Sequence, residues 1–378
     1  MIEKTACNGC GACHDICLNN CIEMRTDNEG FLYPFFIEEN CISCNACERV
    51  CPVTQNKKKI SRKPQSFIAW NKDDNVRATS TSGGLFSALA DNTISEGGIV
   101  VGAAFDQSYH LRHTTASNRQ GYLPMMGSKY LQSDTRGIYR QVKEYLNTGE
   151  SVLFTGTACQ IAGLNAFLNK EYDRLLTCEV ICHGVPSPGV YKDYLRYLES
   201  KMRSKVNTYQ FRSKKYGWSN LTVCVKYANG KKKTYKARYC PYHTWFGKHF
   251  SIRPSCYQCF FRGMNREADI TIGDFWGIEN YRSDIDRDKG VSLVLANSKK
   301  GIRCLNDIKE KLYLEQCPFD WVIEKNPYLI KNYPIPLQRE AFFSDYRNMS
   351  IKELVKKYPP AKPLNLAIQK IYRIIGIS

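Results

Sequence analysis

Cys7-Asn8-Gly9-Cys10-Gly11-Ala12-Cys13-His14-Asp15-Ile16-Cys17 and, 34 residues further on, Cys41-Ile42-Ser43-Cys44-Asn45-Ala46-Cys47-Glu48-Arg49-Val50-Cys51-Pro52 are one cysteine run written twice. Each reads C-x2-C-x2-C-x3-C. Three thiols so closely spaced sit on one tight loop and can meet three corners of a [4Fe–4S] cube. The fourth starts a helix that points away, so it serves the other cube. Structural zinc also uses C-x2-C, but as two pairs around one ion. Two interleaved runs of four do not follow that pattern.

The spacing resembles that of bacterial dicluster ferredoxins, whose run ends in C-P. The resemblance implies one cube on Cys7, Cys10, Cys13 and Cys51, and a second on Cys41, Cys44, Cys47 and Cys17. Leu18 follows Cys17 where the pattern has proline, which weakens a helix-start cue and removes no ligand. Cys21 is surplus and reads as a small buried hydrophobe.

At 378 residues and 43% hydrophobic content, the chain is long enough for two or three domains with a sizeable core. No apolar run reaches the length of a membrane span. Residues 1–6 are short and polar, so no signal peptide is expected. Eight of the 18 cysteines already have a cluster pattern, and a reducing, cytoplasmic location is expected. The formal net charge is +18. With no zinc finger or aromatic RNA-binding motif in view, nucleic acid is not an expected partner. The charge suits a docking face for an acidic electron-transfer protein.

Domains follow from texture. Residues 1–55 form the dicluster module and 56–64 (NKKKISRKP) a basic linker. Over 65–200, strands at 66–70, 98–105, 151–155 and 175–181 alternate with helices at 82–95, 134–147, 159–168 and 188–201. Asp134 is the expected N-cap of its helix. The alternation predicts βαβ units and a mostly parallel sheet. Residues 201–330 read as α+β, with strands at 206–212, 221–227, 231–237, 268–273 and 291–296, a turn at Asn229-Gly230 and a helix at 302–311. Residues 331–378 read as an irregular exit and a basic tail with an amphipathic helix at 365–375. That helix is expected to pack on the body or a second subunit, with peripheral membrane contact as the other reading. The expected fold class is therefore α+β with α/β: a dicluster ferredoxin fold followed by a mixed α/β flavin-binding domain.

Four further motifs stand in order. They are Ser82-Gly83-Gly84, Thr155-Gly156-Thr157-Ala158-Cys159-Gln160-Ile161-Ala162-Gly163-Leu164, Cys182-His183-Gly184-Val185-Pro186-Ser187-Pro188, and Ser255-Cys256-Tyr257-Gln258-Cys259 with Asp269–Gly277 (DITIGDFWG) behind it. Together, over about residues 65–330, they resemble the beta subunits of coenzyme F420-reducing hydrogenase and F420-dependent formate dehydrogenase. The resemblance implies FAD, a further [4Fe–4S] cluster, and electron movement between clusters, flavin and an organic substrate. Relatives commonly carry proline where Ala158 stands, a loop position that supplies no ligand.

The residues are consistent with that chemistry on their own terms. Cys159 and Cys182 each follow a strand, at the carboxyl end where open α/β sheets place ligands. Cys256-x-x-Cys259 is a chelating pair. Four thiols from three loops suit a third cube; taken singly, Cys159 and Cys182 read as buried free cysteines. Cys178, Cys224, Cys240, Cys304 and Cys317 keep that simpler reading. For FAD, Ser82, Gly83 and Gly84 open a helix and offer backbone N–H groups to a pyrophosphate. Ser128, Lys129 and Tyr130 add a hydroxyl and a cation, and Gly156 and Thr157 complete the expected cradle. No G-x-G-x-x-G is present. His183, beside a proposed ligand, is the candidate proton donor; bonding to a cluster sulfur or the backbone is its alternative. The expected activity is that of an iron–sulfur flavoprotein oxidoreductase exchanging electrons between a protein partner and a small organic substrate, with a deazaflavin as one candidate. A non-catalytic electron-transfer subunit docking on a separate enzyme is the alternative.

Overall fold

The computed structural model describes residues 2–55 and 63–362. The 365–375 helix and most of the 56–64 linker lie outside them. Strands β1 (Ile22–Thr26) and β2 (Leu32–Phe36) pair antiparallel between two short helices, Ala12–Ile16 and Ala46–Arg49. The next five strands are β3 (Gln65–Asn71), β4 (Ile99–Phe105), β5 (Leu111–Ala116), β6 (Val152–Thr157) and β7 (Leu175–Val180). Then β8 (Val206–Gln210), β9 (Thr222–Tyr227) and β10 (Lys232–Lys236) make a separate antiparallel sheet, turned at Asn229-Gly230. Finally β11 (Ile270–Asp274), β12 (Ser292–Ala296) and β13 (Leu312–Cys317) rejoin the large sheet.

That sheet runs β13-β3-β12-β11-β7-β6-β4-β5. Its centre, β11-β7-β6-β4, is parallel. β12 inserts antiparallel between β3 and β11, and β5 and β13 close the edges antiparallel. The sheet is therefore mixed where a mostly parallel one was expected. The physical reason lies in β4 (IVVGAAF) and β12 (SLVLA), which are apolar and buried almost throughout, so both read as central strands whatever their direction. The edge strands β5 and β13 escaped sequence reading because their half-polar faces give no alternation. The carboxyl ends of β3, β6, β7 and β11 all point to one side of the sheet, and every motif singled out above sits there or beside it.

Two expectations are corrected. Asp134 does not cap its helix: its carboxylate grips Arg136 through Nε at 3.0 and 2.9 Å. Helix Ile138–Asn147 is instead capped from the dicluster module. The buried Asp15 accepts from the Gly137 N–H at 2.7 Å and the Tyr139 N–H at 3.1 Å. A carboxylate at a helix N-terminus satisfies orphan donors and complements the dipole. The exit after Pro336 is also ordered, as helices Gln338–Asn348 and Ile351–Lys357. Phe342, Phe343 and Leu354 are buried from them in the core around Trp245, whose Nε1–H donates to the Tyr358 carbonyl at 2.8 Å.

The dicluster module is seated, not tethered. Ala12 and Val50 belong to the same core as Val101, Tyr139, Phe154 and Leu164. Arg140 donates to the carbonyls of Cys17 (2.8 Å) and His14 (3.3 Å). Glu29 pairs with the buried Arg339. Asp15→Ala should cost about 2 kcal/mol of local stability, from two charge-assisted bonds and a lost cap. Limited proteolysis should then release residues 2–55 faster than from the parent chain; equal rates would show that the cap does not hold the module.

Candidate metal centres and cofactor cavity

Cys7, Cys10, Cys13 and Cys51 line one cavity of about 440 Å3 between the first and second cysteine runs. Burial pushes the Cys10 thiol up to about 12, and Cys7 and Cys51 add to the shift, so the thiols stand within electrostatic reach of one another. Burial also raises Cys13, helped by Cys10, Cys7 and Cys51. The crossed set expected from the spacing is thus brought together. Gly9 and Gly11, both at positive φ (65° and 78°), shape the loop; a Cβ at Gly9 would meet Gln132 Nε2 at 2.5 Å.

The second set is looser and nearer water. Cys44 is exposed, and Cys17, Cys41 and Cys47 are half-buried. Burial raises Cys47, with Cys17 among the further causes. The surplus Cys21 is buried beside this set: its N–H donates to Cys17 Sγ at 3.2 Å and its thiol donates to the Asn40 carbonyl at 2.9 Å. Among the described residues no three His, Cys, Asp or Glu side chains are grouped to hold a single metal ion. A cube, ligated one sulfur per iron, needs its thiols spread wider than that.

Cys159, Cys182, Cys256 and Cys259 converge from three loops. β6 and β7 are parallel neighbours, with Thr157 opposite Val180, so Cys159 and Cys182 leave the same edge side by side. The third loop is tied on by a bridge between Pro186 and Ile252. Burial raises Cys159 well above its ordinary range, with Cys259, Cys182 and Cys256 adding to it. Burial likewise brings Cys182 to about 11 and Cys256 to about 12. Thr157 Oγ1 lies 3.1 Å from Cys159 Sγ, and the Gly184 N–H donates to Cys182 Sγ at 3.4 Å.

One helix joins this set to the first. Ala158–Leu168 carries Cys159 in its first turn, and Gly163 lies four residues on. Positions four apart are stacked neighbours, about 5–6 Å between Cβ atoms. A Cβ at Gly163 would stand 3.1 Å from Cys10 Sγ. Tyr139 fills the same gap: its hydroxyl donates to the Cys10 carbonyl at 2.7 Å and has the Gln160 carbonyl 3.1 Å away as a second acceptor for the same proton.

The expected flavin cradle is more occupied than its sequence suggests. The Gly83 N–H donates to Ser292 Oγ at 2.9 Å, and Ser82 Oγ donates to the Val291 carbonyl at 2.8 Å. Gly84, at φ 89°, starts helix Leu85–Ser95. The Lys129 ammonium donates to the carbonyls of Met125, Met126 and Gly127 at 2.8, 2.9 and 3.2 Å, and burial lowers it to about 7. The Ser128 N–H donates to Thr81 Oγ1 at 2.9 Å. The Thr157 N–H donates to Gln160 Oε1 at 2.9 Å, and Gly156 faces Gln160 and His113. These residues therefore bind the sheet edge together.

Basic groups gather next door. A cavity of about 680 Å3 is lined by Arg77, Arg212, Lys214, Lys215 and Lys289, with Asp74, Asp288 and Ser80. That volume lies in the range of small-molecule sites. Arg212 pairs with Asp274 at 2.8 Å, and its Nη1 also donates to Tyr130 Oη at 3.3 Å. Its Nη2 is buried with no partner. Trp218 stacks on Trp276 at 4.6 Å, and the Arg212 guanidinium lies 5.2 Å from the Trp276 ring. His183 is kept neutral: burial, with Arg262 and His249 adding to it, lowers it to about 4. Sequence reasoning missed Arg77, Arg212 and Lys214, because lone basic residues carry no spacing signal.

Residues 6–55 match the family model of the 4Fe-4S dicluster domain. Residues 149–321 match that of the C-terminal part of the coenzyme F420 hydrogenase/dehydrogenase beta subunit. The chain carries this beta-subunit domain behind a 4Fe-4S dicluster domain. No curated protein matches the chain. Among solved structures, a chain of the xenon-derivatised F420-reducing [NiFe] hydrogenase complex from Methanosarcina barkeri is similar at 16% identity. The match covers 80% of this chain and 94% of that one, with a TM-score of 0.46. The beta-subunit match spans Gly156, Thr157, all four thiols of the third set, His183 and Asp274, while Ser82–Gly84 and Ser128–Tyr130 precede it. Among the described residues no helix is long and apolar enough to cross a membrane.

Gly163→Ala should leave the helix intact but crowd Cys10 and the Tyr139 hydroxyl. Iron retained after anaerobic purification should fall; iron and EPR signals equal to the parent's would show that the contact is loose.

Proposed function

We propose that the chain is an iron–sulfur flavoprotein oxidoreductase that moves electrons between a protein partner and an organic substrate. The observation that supports it most is helix Ala158–Leu168, which holds a ligand of the third thiol set at one turn and touches Cys10 at the next. On this reading Cys17, Cys41, Cys44 and Cys47 hold an outer cube. Cys7, Cys10, Cys13 and Cys51 hold an inner one. Cys159, Cys182, Cys256 and Cys259 hold the third, and the cationic cavity takes the diphosphate of FAD. When bound, cubes supply single electrons and a flavin supplies them in pairs to an organic molecule. The chain's own residues orient and neutralise. Arg212, with its unpartnered Nη2, is the donor we assign to the diphosphate; Lys214, whose three protons go to the Arg77, Ser82 and Lys289 carbonyls, adds positive charge to the cavity wall, and Tyr130 braces Arg212. His183, read from the sequence as a proton donor, is held neutral by burial, and we therefore assign it to accept a proton first. A deazaflavin, the coenzyme in the matched family's name, is the first substrate to try.

The outer set favours a protein partner. Cys44 is exposed, and Leu18 (88% exposed) and Ile42 (71%), the chain neighbours of Cys17 and Cys41, stand in solvent. The net charge of +18 suits an acidic donor. The same feature would serve a relay subunit with no substrate of its own. Purified chain given reduced ferredoxin and candidate acceptors separates the two: substrate-level turnover supports the enzyme, and cluster reduction without turnover supports the relay.

Two outcomes are expected. Anaerobically prepared chain should hold about twelve irons, and Cys256→Ser about eight, with the dicluster EPR signals kept. A parent chain that stops at about eight after full reconstitution removes the third cube. Flavin affinity should also depend on pH. Burial holds Lys214 down to about 8 from an ordinary 10.5. A bound diphosphate favours its charged form, so affinity should be full below that value and fall as pH rises through it. Fluorescence titration at pH 7 and pH 9 checks this; equal affinities would place the diphosphate elsewhere.

A further inference from the structure

Arg253 is fully buried, 0% exposed, and sits between the first and third thiol sets. Its backbone belongs to the third set's loops: its N–H donates to the Val185 carbonyl at 3.0 Å, and its carbonyl accepts from the Cys256 N–H at 3.0 Å. Its side chain belongs to the dicluster module. Nε donates to the Cys7 carbonyl at 2.7 Å, Nη1 to the Leu32 carbonyl at 3.0 Å and Gln132 Oε1 at 2.8 Å, and Nη2 to Cys7 Sγ at 3.7 Å. The guanidinium lies over the Tyr33 ring at 3.9 Å. Its charge acts on both Cys10 and Cys256, opposing the rise that burial causes there.

All these acceptors are neutral, and among the described residues no carboxylate pairs with the guanidinium. A buried cation without an anion is costly. Four thiolates outweigh the positive charge of a [4Fe–4S] cube, so a cube on Cys7, Cys10, Cys13 and Cys51 supplies the missing anion. At the outer set Arg140 and Arg49 bond backbone carbonyls, those of Cys17 and Cys44 at 2.8 Å each among them, and not a cysteine sulfur. Arg49 is exposed and Arg140 half-buried, where water weakens their fields.

We propose that Arg253 is the counter-ion of the inner cube and raises its reduction potential. Reduction adds one electron and one unit of negative charge, with no bond broken. Burial alone resists that added charge, and it would leave the inner cube harder to reduce than the exposed outer one. The guanidinium and its bond to Cys7 Sγ favour the reduced form, since net charge and hydrogen bonds to sulfur set cluster potentials. Arg253 is thus a positioning and tuning residue that keeps the inner station accessible to an electron arriving from outside.

The inference rests on the functional reading through the inner cube, whose presence iron content and EPR spin count report separately. The test is an EPR-monitored titration of the full chain with dithionite, the outer signal being assigned with Cys44→Ser. In Arg253→Gln and Arg253→Met, the inner cube's reduced-to-oxidised ratio at a fixed potential should fall at least tenfold, about 59 mV for one electron. The outer cube should not move. Gln132→Ala, which removes bonds to the Asn8 and Gly9 carbonyls and one acceptor of Arg253 Nη1 but leaves the charge and the Cys7 bonds, should hold the parent midpoint. An unchanged inner midpoint in the neutral variants, or an equal fall in Gln132→Ala, overturns the proposal. If the neutral variants lose the inner cube, Arg253→Lys decides. A midpoint within the tenfold limit of the parent supports the charge, and a larger fall overturns it. A parent chain without an inner cube would defeat the functional reading instead.

Discussion

Arg253 can be buried only if something supplies acceptors on every side of it, and the dicluster module supplies most of them. Its fork takes the carbonyls of Cys7 and Leu32 from that module and Gln132 from the sheet domain. Leaving a buried donor without its partner costs about 1–3 kcal/mol, and more where the donor is charged. Asp15 makes the reciprocal commitment, reaching out of the module to cap helix Ile138–Asn147. The two domains therefore share one core and one polar seam. Residues 2–55 hold a fixed place relative to the sheet edge, which an electron relay needs and a linker alone would not give.

That fixed place gives the thiol sets their order. The exposed Cys44 set lies outermost, the Cys7 set lies against helix Ala158–Leu168, and the Cys159 set begins that same helix. The parallel pairing of β6 with β7 brings Cys159 and Cys182 to one edge, and Arg253 ties the Cys256 loop to the module. Asp274 ends β11, the next strand over, and pairs with Arg212, which follows β8 and lines the cationic cavity.

Local chemistry was legible in the sequence and distant chemistry was not. The cysteine runs were readable because their spacing is itself the geometry of a chelating loop. The third set was half readable: Cys256-x-x-Cys259 is local, but its union with Cys159 and Cys182 depends on which strands are neighbours. Arg253 and Asp15 carried no signal, since their partners lie 246 and 122 residues away. The Ser82–Gly84 turn looked like an open anion cradle because nothing in the sequence places Ser292 against it. The antiparallel insertion of β12 does so, and it commits the Gly83 N–H. Lone basic residues such as Arg212 gain meaning only when the fold gathers them.

The central claim is that three iron centres lie in a row from the outer face of the module to the sheet edge. Diffraction from an anaerobically grown crystal, recorded at the iron absorption edge, tests it most directly. Three anomalous peaks are expected: one at Cys17, Cys41, Cys44 and Cys47, one at Cys7, Cys10, Cys13 and Cys51, and one at Cys159, Cys182, Cys256 and Cys259, with Arg253 between the last two. A third set without iron in a crystal whose dicluster sites are full, or zinc at any of the three, would contradict it.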